Sequence, residues 1–303
     1  IKGVSMLPIV DTHQHLWDTE QFSLPWLDGE GMDLLQKNHT MSDYLVAAEG
    51  AGIAKTVYME VDVTPAQRVK EAGFVSGLCA SDDNPMVAAV IGGSPGTEGF
   101  REYIGGFKGN DYIKGVRLVL HVPDAEQGRC LQEAFVKDVQ FLGEQGLSFD
   151  LCLRPGELAD AVGLVQQCPD TLFIVDHCGN ADVQIVGGQT EHDPANSFSH
   201  SKEQWQRDMA GLGACENVAC KISGIIARAP EGWTADTLAP TVNHCLESFG
   251  PDRVVVGGDW PVCNFGASLG EWVVALRQIV SGRPEEDQAK LFAGNAERLY
   301  GLV

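Results

Sequence analysis

Short apolar runs alternate with helical segments along most of this chain. Runs of about four to eight apolar or β-branched residues are typical of strands buried on both faces, whereas apolar residues that recur every three or four positions indicate helices. The pattern predicts eight strands, at residues 9–10, 55–61, 86–91, 113–120, 148–153, 171–175, 218–222 and 253–256. It predicts helices near residues 41–50, 65–78, 97–106, 130–145, 158–167, 204–212, 235–249, 271–280 and 285–299.

This alternation favours an α/β fold, a single (β/α)8 TIM barrel that spans residues 1–303. Parallel neighbouring strands need crossover connections, and the predicted helices supply them. Two segments, 17–41 and 179–203, exceed the usual strand-to-helix loop of about two to six residues. We expect them to be long loops after strands one and six, on the catalytic face of the barrel, with disordered surface decoration as the alternative.

The chain is strongly acidic, with 21 basic and 42 acidic residues and a formal net charge of −21. This charge argues against nucleic acid or an anionic membrane as a partner, although a few arginines in a cleft still allow a small anionic substrate. No apolar run reaches the roughly 18 residues of a transmembrane helix, and the first residues lack the hydrophobic region of a signal peptide. The nine cysteines, without a Cys-x-x-Cys pair, are typical of reduced core thiols, with one disulfide as the alternative. We therefore expect a cytoplasmic protein.

Polar residues follow the predicted strands, and a barrel brings strand ends together on one face. His13 and His15 are two positions apart after the first strand, so strand alternation directs both imidazoles to one side. Such a pair can hold a metal or transfer protons, and two ordinary hydrogen-bonded histidines are an equal alternative. The other strand ends carry Glu60, Arg117, His121, Arg154, Asp176, His177, Asn180, Lys221, Ser223, Asp259, Trp260 and Asn264.

Three histidines and one carboxylate from strands one, six and eight form a convergent set within this group. They are His13, His15, His177 and Asp259. Buried ionisable groups are costly unless they are paired or bound to a ligand, so core packing alone does not explain such a set. We therefore predict that these four residues form the centre of an active site.

Six motifs in barrel order resemble the amidohydrolase superfamily, in the branch that contains 2-pyrone-4,6-dicarboxylate lactonase and sugar-acid lactonases such as L-fuconolactonase. The motifs are VDTHQHLWD at 10–18, GVR at 115–117, FDLCLRP at 149–155, VDHCG at 175–179, KISG at 221–224 and GGDWPV at 257–262. The closing segment FAGNAERLYGL at 292–302 is similar to the terminal helix of that branch. The resemblance covers essentially the whole chain.

The resemblance implies a role for each member of the set. His13 and His15 match the first-strand pair, His177 matches the sixth-strand histidine, and Asp259 matches the eighth-strand aspartate, which is the expected general base on water. These residues would also be the metal ligands. Glu60 is implied as an additional ligand or as a substrate contact.

Two departures from the superfamily pattern bear on the number of metal ions. Arg117 stands in the region where a bridging lysine follows strand four, and Arg154 stands at the fifth-strand end where binuclear members place a histidine. Both argue against a binuclear centre. The resemblance thus implies one divalent ion of the zinc type, or catalysis without a metal.

The expected function is the hydrolysis of a small lactone, either a sugar-acid lactone or a carboxylated pyrone or muconolactone, by water that Asp259 activates. A metal, or the three histidines as hydrogen-bond donors, would polarise the carbonyl group. Arg117 and Arg154 would bind a carboxylate or a hydroxyl-rich ring, and Trp17 or Trp260 would form an apolar wall. Further candidate substrate contacts are Ser223 and His121.

Several of these residues also have a structural interpretation. Arg154 can instead bind backbone carbonyls at the barrel rim, Arg117 can pair with Glu60, and Ser223 can belong to a glycine-flanked turn. Asp11 and Asp176 are each one position out of phase with a stronger candidate, so we expect them to support other residues. The expected loop histidines are His121, His192 and His200.

Two other functions remain open at this point. Barrels that resemble this one also act as metal-dependent decarboxylases of small carboxylic acids with the same set of residues. A non-catalytic small-molecule binding protein would keep the pocket without the reaction. The intact set of four makes the binding protein the weakest of the three hypotheses.

Overall fold

Eight parallel strands form one sheet in the computed structural model, which describes residues 6–122, 124–196 and 198–302. In sequence order the strands are β1 (Ile9–Gln14), β2 (Ile53–Met59), β3 (Met86–Gly92), β4 (Ile113–Val119), β5 (Ser148–Cys152), β6 (Phe173–Val175), β7 (Val218–Ile222) and β8 (Val254–Val256). Gln14 bridges Trp260 just beyond β8, and the Thr12 hydroxyl donates to the Val256 carbonyl at 2.7 Å. The sheet thus closes on itself, and the predicted (β/α)8 barrel is confirmed.

Helices connect the strands on the outside of the barrel. The longer ones are Met41–Ala47, Arg68–Cys79, Phe100–Gly105, Glu133–Glu144, Leu158–Gln167, Lys202–Gly213, Ala235–Phe249 and Leu269–Val280, and shorter ones are Val183–Val186, Glu285–Ala289 and Asn295–Leu299. The helix predicted at 285–299 is interrupted by a wider turn at Lys290–Gly294. In the described ranges, none of the helices combines the length and apolar character that crossing a membrane requires.

Two hydrophobic clusters stabilise the fold. The larger one packs the outer faces of the strands against the helices. The smaller one fills the barrel with branched and small side chains from most strands, including Val57, Val90 and Ala219, and Tyr300 of the terminal segment closes it from below. This packing holds the strand ends in fixed positions, so the side chains that follow them are presented on a rigid frame.

Both long segments lie on the face formed by the carboxyl ends of the strands. In the first, Trp17 pairs with His39 through two backbone hydrogen bonds of 2.9 Å, and the only helical structure among residues 17–40 is one short turn, Pro25–Asp28. In the second, Phe198 packs edge to face on His121, with ring centroids 5.4 Å apart. A cavity at this face is lined by Trp17 and Trp26 of the first segment and by Asn180 of the second, so the long loops predicted after strands one and six border the same space.

Candidate active site

A cavity of about 330 Å³ opens at the carboxyl ends of the strands. Its wall contains mostly apolar side chains from the first long loop and from the strand ends. A few polar groups converge in it, which is the usual make-up of a small-molecule site. The polar side chains of the wall are His15, Asp62, Arg117, His121, His177, Asn180, Arg228 and Asp259.

The four residues predicted as the catalytic set come together here: His15, His177 and Asp259 lie in the cavity wall, and His13 is buried beside them. His13, His177 and Asp259 each offer one ligand atom, and these atoms lie within 4.8 Å of one another. Nε2 of His13 is 3.7 Å from Oδ1 of Asp259, and Nε2 of His15 is 3.5 Å from the same oxygen. The donor set is three imidazoles and one carboxylate, which suits a mononuclear zinc-type ion.

The hydrogen bonding of His15 gives an independent test of whether a cation fits this group. Its Nδ1–H donates to the Met59 carbonyl oxygen at 2.9 Å, so the neutral ring has an unprotonated Nε2. That lone pair faces the carboxylate of Asp259, and two acceptors so placed repel each other unless a cation or a proton lies between them. The residues therefore fit a bound cation.

Electrostatics keep Asp259 in its charged form. Burial alone would raise the pKa of this carboxyl group, but the neighbouring His177, His15 and His13 lower the pKa of Asp259 below its usual range. For His13 the direction is also downward, because burial and the Lys221 ammonium group lower the pKa of the ring well below the ordinary value. The Asp259 carboxylate is thus ionised at neutral pH, while the His13 ring is neutral.

His177 is presented by a left-handed turn. Residues His177, Cys178, Gly179 and Asn180 have φ of 54°, 52°, 67° and 56°. Left-handed backbone costs an L-residue about 1–2 kcal/mol, so the surroundings must enforce it. Asn180 donates to the Leu153 carbonyl at 2.7 Å, and the indole of Trp205 donates to the Cys178 carbonyl at 3.0 Å. The turn is therefore fixed from both sides.

Ser223 positions His177. Its hydroxyl lies 3.0 Å from Nδ1 of His177, and the side chain is buried outside the cavity wall. Gly224 allows this approach, because a Cβ at Gly224 would lie 2.3 Å from the same nitrogen. Ser223 was predicted as a substrate contact, and the structure corrects this to a residue that orients a histidine.

Asp11 joins the first strand of the barrel to the segment that follows the last strand. Its Oδ1 accepts from the backbone N–H groups of His13 at 3.0 Å and Gly258 at 2.6 Å, and its Oδ2 accepts from the Tyr44 hydroxyl at 2.7 Å. The Asp259 backbone N–H in turn donates to the His13 carbonyl at 2.9 Å. Asp11 thus fixes the relative position of β1 and the segment after β8, in agreement with the supporting role expected for it.

A second group of potential ligands, Cys152, Asp176 and His177, is less suited to a cation. Oδ1 of Asp176 lies 2.9 Å from the Lys221 ammonium nitrogen, and Oδ2 lies 3.5 Å from the Arg117 guanidinium. Burial raises the pKa of Cys152 to about 12, so its thiol is neutral. Because two fixed cations already occupy this carboxylate, the geometry favours one metal ion over two.

Arg154 does not reach the cavity. Its guanidinium binds Glu157 through Nε at 2.5 Å and Nη2 at 3.1 Å, and it donates to the carbonyls of Val122 and Ala125 at 2.8 and 2.9 Å. These bonds engage all three of its nitrogens. The prediction of Arg154 as a substrate contact is therefore wrong, and the residue instead holds the loop after β4 at the barrel rim.

Glu60 and Arg117 form a buried ion pair. Nε of Arg117 donates to Oε1 of Glu60 at 2.6 Å, and the backbone N–H of Asp62 donates to Oε2 at 2.7 Å. Both carboxylate oxygens are thus engaged, so the prediction of Glu60 as a metal ligand is corrected. Arg117 does line the cavity, and its Nη1 lies 3.3 Å from Nε2 of His13.

The aromatic residues divide between wall and core. Trp17 lines the cavity as predicted, whereas Trp260 lies behind the wall, packed on His39 and Tyr44 with ring centroids 5.3 and 5.5 Å away. The prediction of Trp260 as part of the apolar wall is therefore wrong. His121 lies in the wall, and burial lowers its pKa to about 3, which leaves it a neutral hydrogen-bonding group.

The two other loop histidines lie outside the cavity wall. His192 is exposed, and its Nδ1 lies 3.1 Å from the Ser199 hydroxyl. Nε2 of His200 accepts from the backbone N–H of Asp182 at 2.8 Å. Both therefore act within the loop, as expected.

Sequence reasoning missed several residues of the site. Asp62 comes directly after the predicted second strand, so the rule used for the other strand ends would have selected it. Arg228 lies six positions beyond β7, at the end of the short turn Ile225–Arg228, and no strand-end rule reaches it. Its guanidinium stacks on the Phe198 ring at 5.1 Å.

A buried carboxyl group next to the site makes stability depend on pH. Burial, with the charge of Glu60, raises the pKa of Glu71 to about 8, and its buried Oε2 has no hydrogen-bond partner among the described residues. Because the folded-state pKa of Glu71 exceeds the unfolded value, the contribution of Glu71 to the free energy of unfolding is complete below about pH 4.5. This contribution is lost as the pH rises through about 8. Glu71→Gln is neutral at every pH.

We therefore expect the stability of Glu71→Gln relative to the parent to increase by about 1–3 kcal/mol between pH 6 and pH 9. Urea denaturation at both pH values measures this difference. The exposed Glu98→Gln is the matched control and should follow the parent. A parallel loss of stability in Glu71→Gln and the parent would contradict the assignment.

Comparison with known proteins gives matches along the whole chain. The family model described as Amidohydrolase matches residues 10–302. An uncharacterized protein of Sinorhizobium fredii is 26% identical, over 98% of this chain and 99% of that protein. L-fucono-1,5-lactonase of Burkholderia multivorans is 25% identical, over 97% of this chain and 96% of that protein. A crystal structure of an amidohydrolase from Burkholderia multivorans with bound Zn superposes with a TM-score of 0.82 at 22% identity, covering 98% of this chain and 100% of that one.

Proposed function

We propose that this chain, which belongs to the amidohydrolase family, is a lactonase. It would open a small cyclic ester with water activated by Asp259. The observation that carries the proposal is the convergence of His13, His177 and Asp259 within 4.8 Å at the cavity, with His15 beside them. A relative named L-fucono-1,5-lactonase, aligned over nearly the full length of both chains, supports lactone hydrolysis as the reaction class.

Asp259 is proposed as the general base. Its carboxylate is ionised and lies in the cavity wall, so it can accept a proton from a water molecule next to the lactone carbonyl. The water oxygen bonds to the carbonyl carbon, and the ring C–O bond breaks. Asp259 then returns the proton to the alkoxide oxygen that leaves. The product is an open-chain hydroxy acid.

The residues around Asp259 are proposed to hold a divalent cation. The ligands would be His13, His15, His177 and Asp259, with Ser223 and Asp11 fixing the orientation of two of them. Such an ion, when bound, supplies Lewis-acid polarisation of the carbonyl group. The Arg117 guanidinium, 3.3 Å from His13, adds positive charge at the same end of the cavity.

A pH-change assay over a panel of lactones tests the proposal. The panel contains sugar-acid 1,4- and 1,5-lactones, a muconolactone and a pyrone dicarboxylate. Hydrolysis releases one proton per ring opened, and chromatography of the hydroxy acid confirms the product. Release of carbon dioxide from a carboxylated substrate without ring opening would instead support a decarboxylase, and no reaction across the panel would remove the lactonase proposal.

Removal of the metal gives a separate prediction. Protein purified without chelator should contain about one equivalent of zinc, and dialysis against a chelator should lower the turnover rate by about 10²-fold or more, with recovery when zinc is restored. Elemental analysis and initial rates measure both effects. His177→Ala should lose the metal, whereas the control His192→Ala, in the exposed loop, should retain it. Full turnover by metal-free protein would defeat the metal part of the proposal.

A further inference from the structure

Asp62 is a polar residue of the cavity wall that the proposed reaction does not use. It lies three positions beyond the end of β2 and is half-buried. Its carboxylate makes no hydrogen bond or ion pair with any residue in the described part of the chain, although its own backbone N–H is bound. A free carboxylate that faces a cavity is available to a ligand.

The backbone at Asp62 does not require a carboxylate. Its φ is 50°, and the backbone is held there by the bond from its N–H to Glu60, which the Arg117 guanidinium fixes in turn. The carbonyl of the same peptide group, that of Val61, accepts from the indole of Trp26 at 2.8 Å. Glycine or asparagine would suit this left-handed position at least as well, because the side chain makes no bond to the turn.

The charge of Asp62 does not help the protein fold. Burial and the nearby charge of Glu60 raise the pKa of Asp62 to about 6. The upward shift means that the folded protein disfavours the ionised carboxylate at neutral pH. A charged group that is kept where it lowers stability is a candidate for a function.

The surroundings of Asp62 indicate what it would bind. Trp26 and Val61 also line the cavity, and Trp17 meets Trp26 edge to face with ring centroids 5.5 Å apart. The wall near Asp62 therefore offers flat apolar surfaces and strong hydrogen-bond acceptors. A ring that carries hydroxyl groups matches both features, since its C–H groups pack on indoles and its O–H groups donate to carboxylates.

We propose that Asp62 is a specificity-determining residue, which accepts hydrogen bonds from the ring hydroxyls of a polyhydroxylated lactone while Trp17 and Trp26 pack against the ring. The inference rests on the proposed lactonase function, and it names the substrate class of that site. Nε of Arg117 donates to Glu60 at 2.6 Å, and the Asp62 carboxylate forms no ion pair within the described residues, so its oxygens are available to ring hydroxyls.

Binding of lactams tests the inference without turnover, because a lactam has the ring shape of a lactone and resists hydrolysis. The probes are a polyhydroxylated δ-lactam and the unsubstituted δ-valerolactam, measured by calorimetry on the zinc-loaded parent, Asp62→Gly and Asp62→Asn. Glycine and asparagine both fit the left-handed backbone, so thermal melting of both variants should be no lower than that of the parent. The matched control is Asp82→Asn, an exposed carboxylate outside the cavity wall.

We expect Asp62→Gly to weaken binding of the polyhydroxylated lactam by about 10- to 100-fold, with a smaller loss for Asp62→Asn. Binding of δ-valerolactam should change by less than about 2-fold in both, and Asp82→Asn should bind both lactams like the parent. Equal losses for the two lactams, or no loss for either, would overturn the role of Asp62. The lactone assay of the parent tests the proposed function separately, so each can fail without the other.

Discussion

Asp259→Asn is expected to lower the turnover rate of lactone hydrolysis by about 10³-fold or more, because an amide cannot take a proton from water. The fold should survive the change. Asp259 has a φ of 54°, which asparagine tolerates better than most residues, and its backbone N–H keeps its bond to the His13 carbonyl. Initial rates of proton release at saturating substrate measure the loss.

Two controls separate the proton-transfer role of Asp259 from other causes. Asp124→Asn removes an exposed carboxylate outside the cavity wall and should retain the parent rate. Elemental analysis of Asp259→Asn shows whether the rate falls while the metal remains bound. A variant that keeps metal and a tenth or more of the parent rate (about 1.4 kcal/mol in barrier height) would exclude Asp259 as the base. Equal ligand binding by both proteins without turnover in the parent would favour the binding-protein hypothesis.

Lys221→Met is expected to lower the free energy of unfolding by about 3–5 kcal/mol, because it leaves the buried Asp150 carboxylate without a counter-ion and removes one of the two cations beside Asp176. The Lys221 ammonium nitrogen is fully buried, 2.8 Å from Oδ2 of Asp150 and 2.9 Å from Oδ1 of Asp176. It also lies 3.3 Å from Nδ1 of His13, so the same change disturbs the site. Denaturant unfolding monitored by tryptophan fluorescence measures the stability.

The chain offers a matched control for this substitution. Lys55 also lies on a strand and pairs with Glu297 at 3.1 Å, but both side chains are partly exposed. Lys55→Met should therefore cost less than about 1 kcal/mol. The double variant Lys221→Met/Asp150→Asn should recover part of the loss, since it removes one unpaired charge. A Lys221→Met protein as stable as Lys55→Met would contradict the importance of the buried network.

The barrel and the positions of the catalytic set could be predicted because both depend on local periodicity. Apolar runs indicate strands, and a closed parallel sheet brings together whatever follows them. His13, His177 and Asp259 are adjacent for this reason, although every pair of them is more than 80 positions apart in the sequence. The motifs that resemble the amidohydrolase family additionally implied a role for each of these residues.

The direction in which each side chain turns could not be read in the same way. Arg154 binds Glu157 and two carbonyls of the loop after β4, and the path of that loop depends on packing that no local pattern encodes. Trp260 turns toward His39 and Tyr44, which come from the first long loop and the helix after it. Position after a strand therefore predicts proximity to the site, whereas tertiary contacts decide access to the cavity.

The left-handed turn that presents His177 also bears on protein engineering. His177, Cys178 and Asn180 adopt a strained left-handed backbone that the site needs, so substitutions that relax the turn would raise heat resistance at the expense of activity. A programme to raise the melting temperature should therefore leave this segment unchanged. Apolar side chains exposed on the outer helices, such as Val46, Val69 and Val274, lie elsewhere and are the better positions for such work.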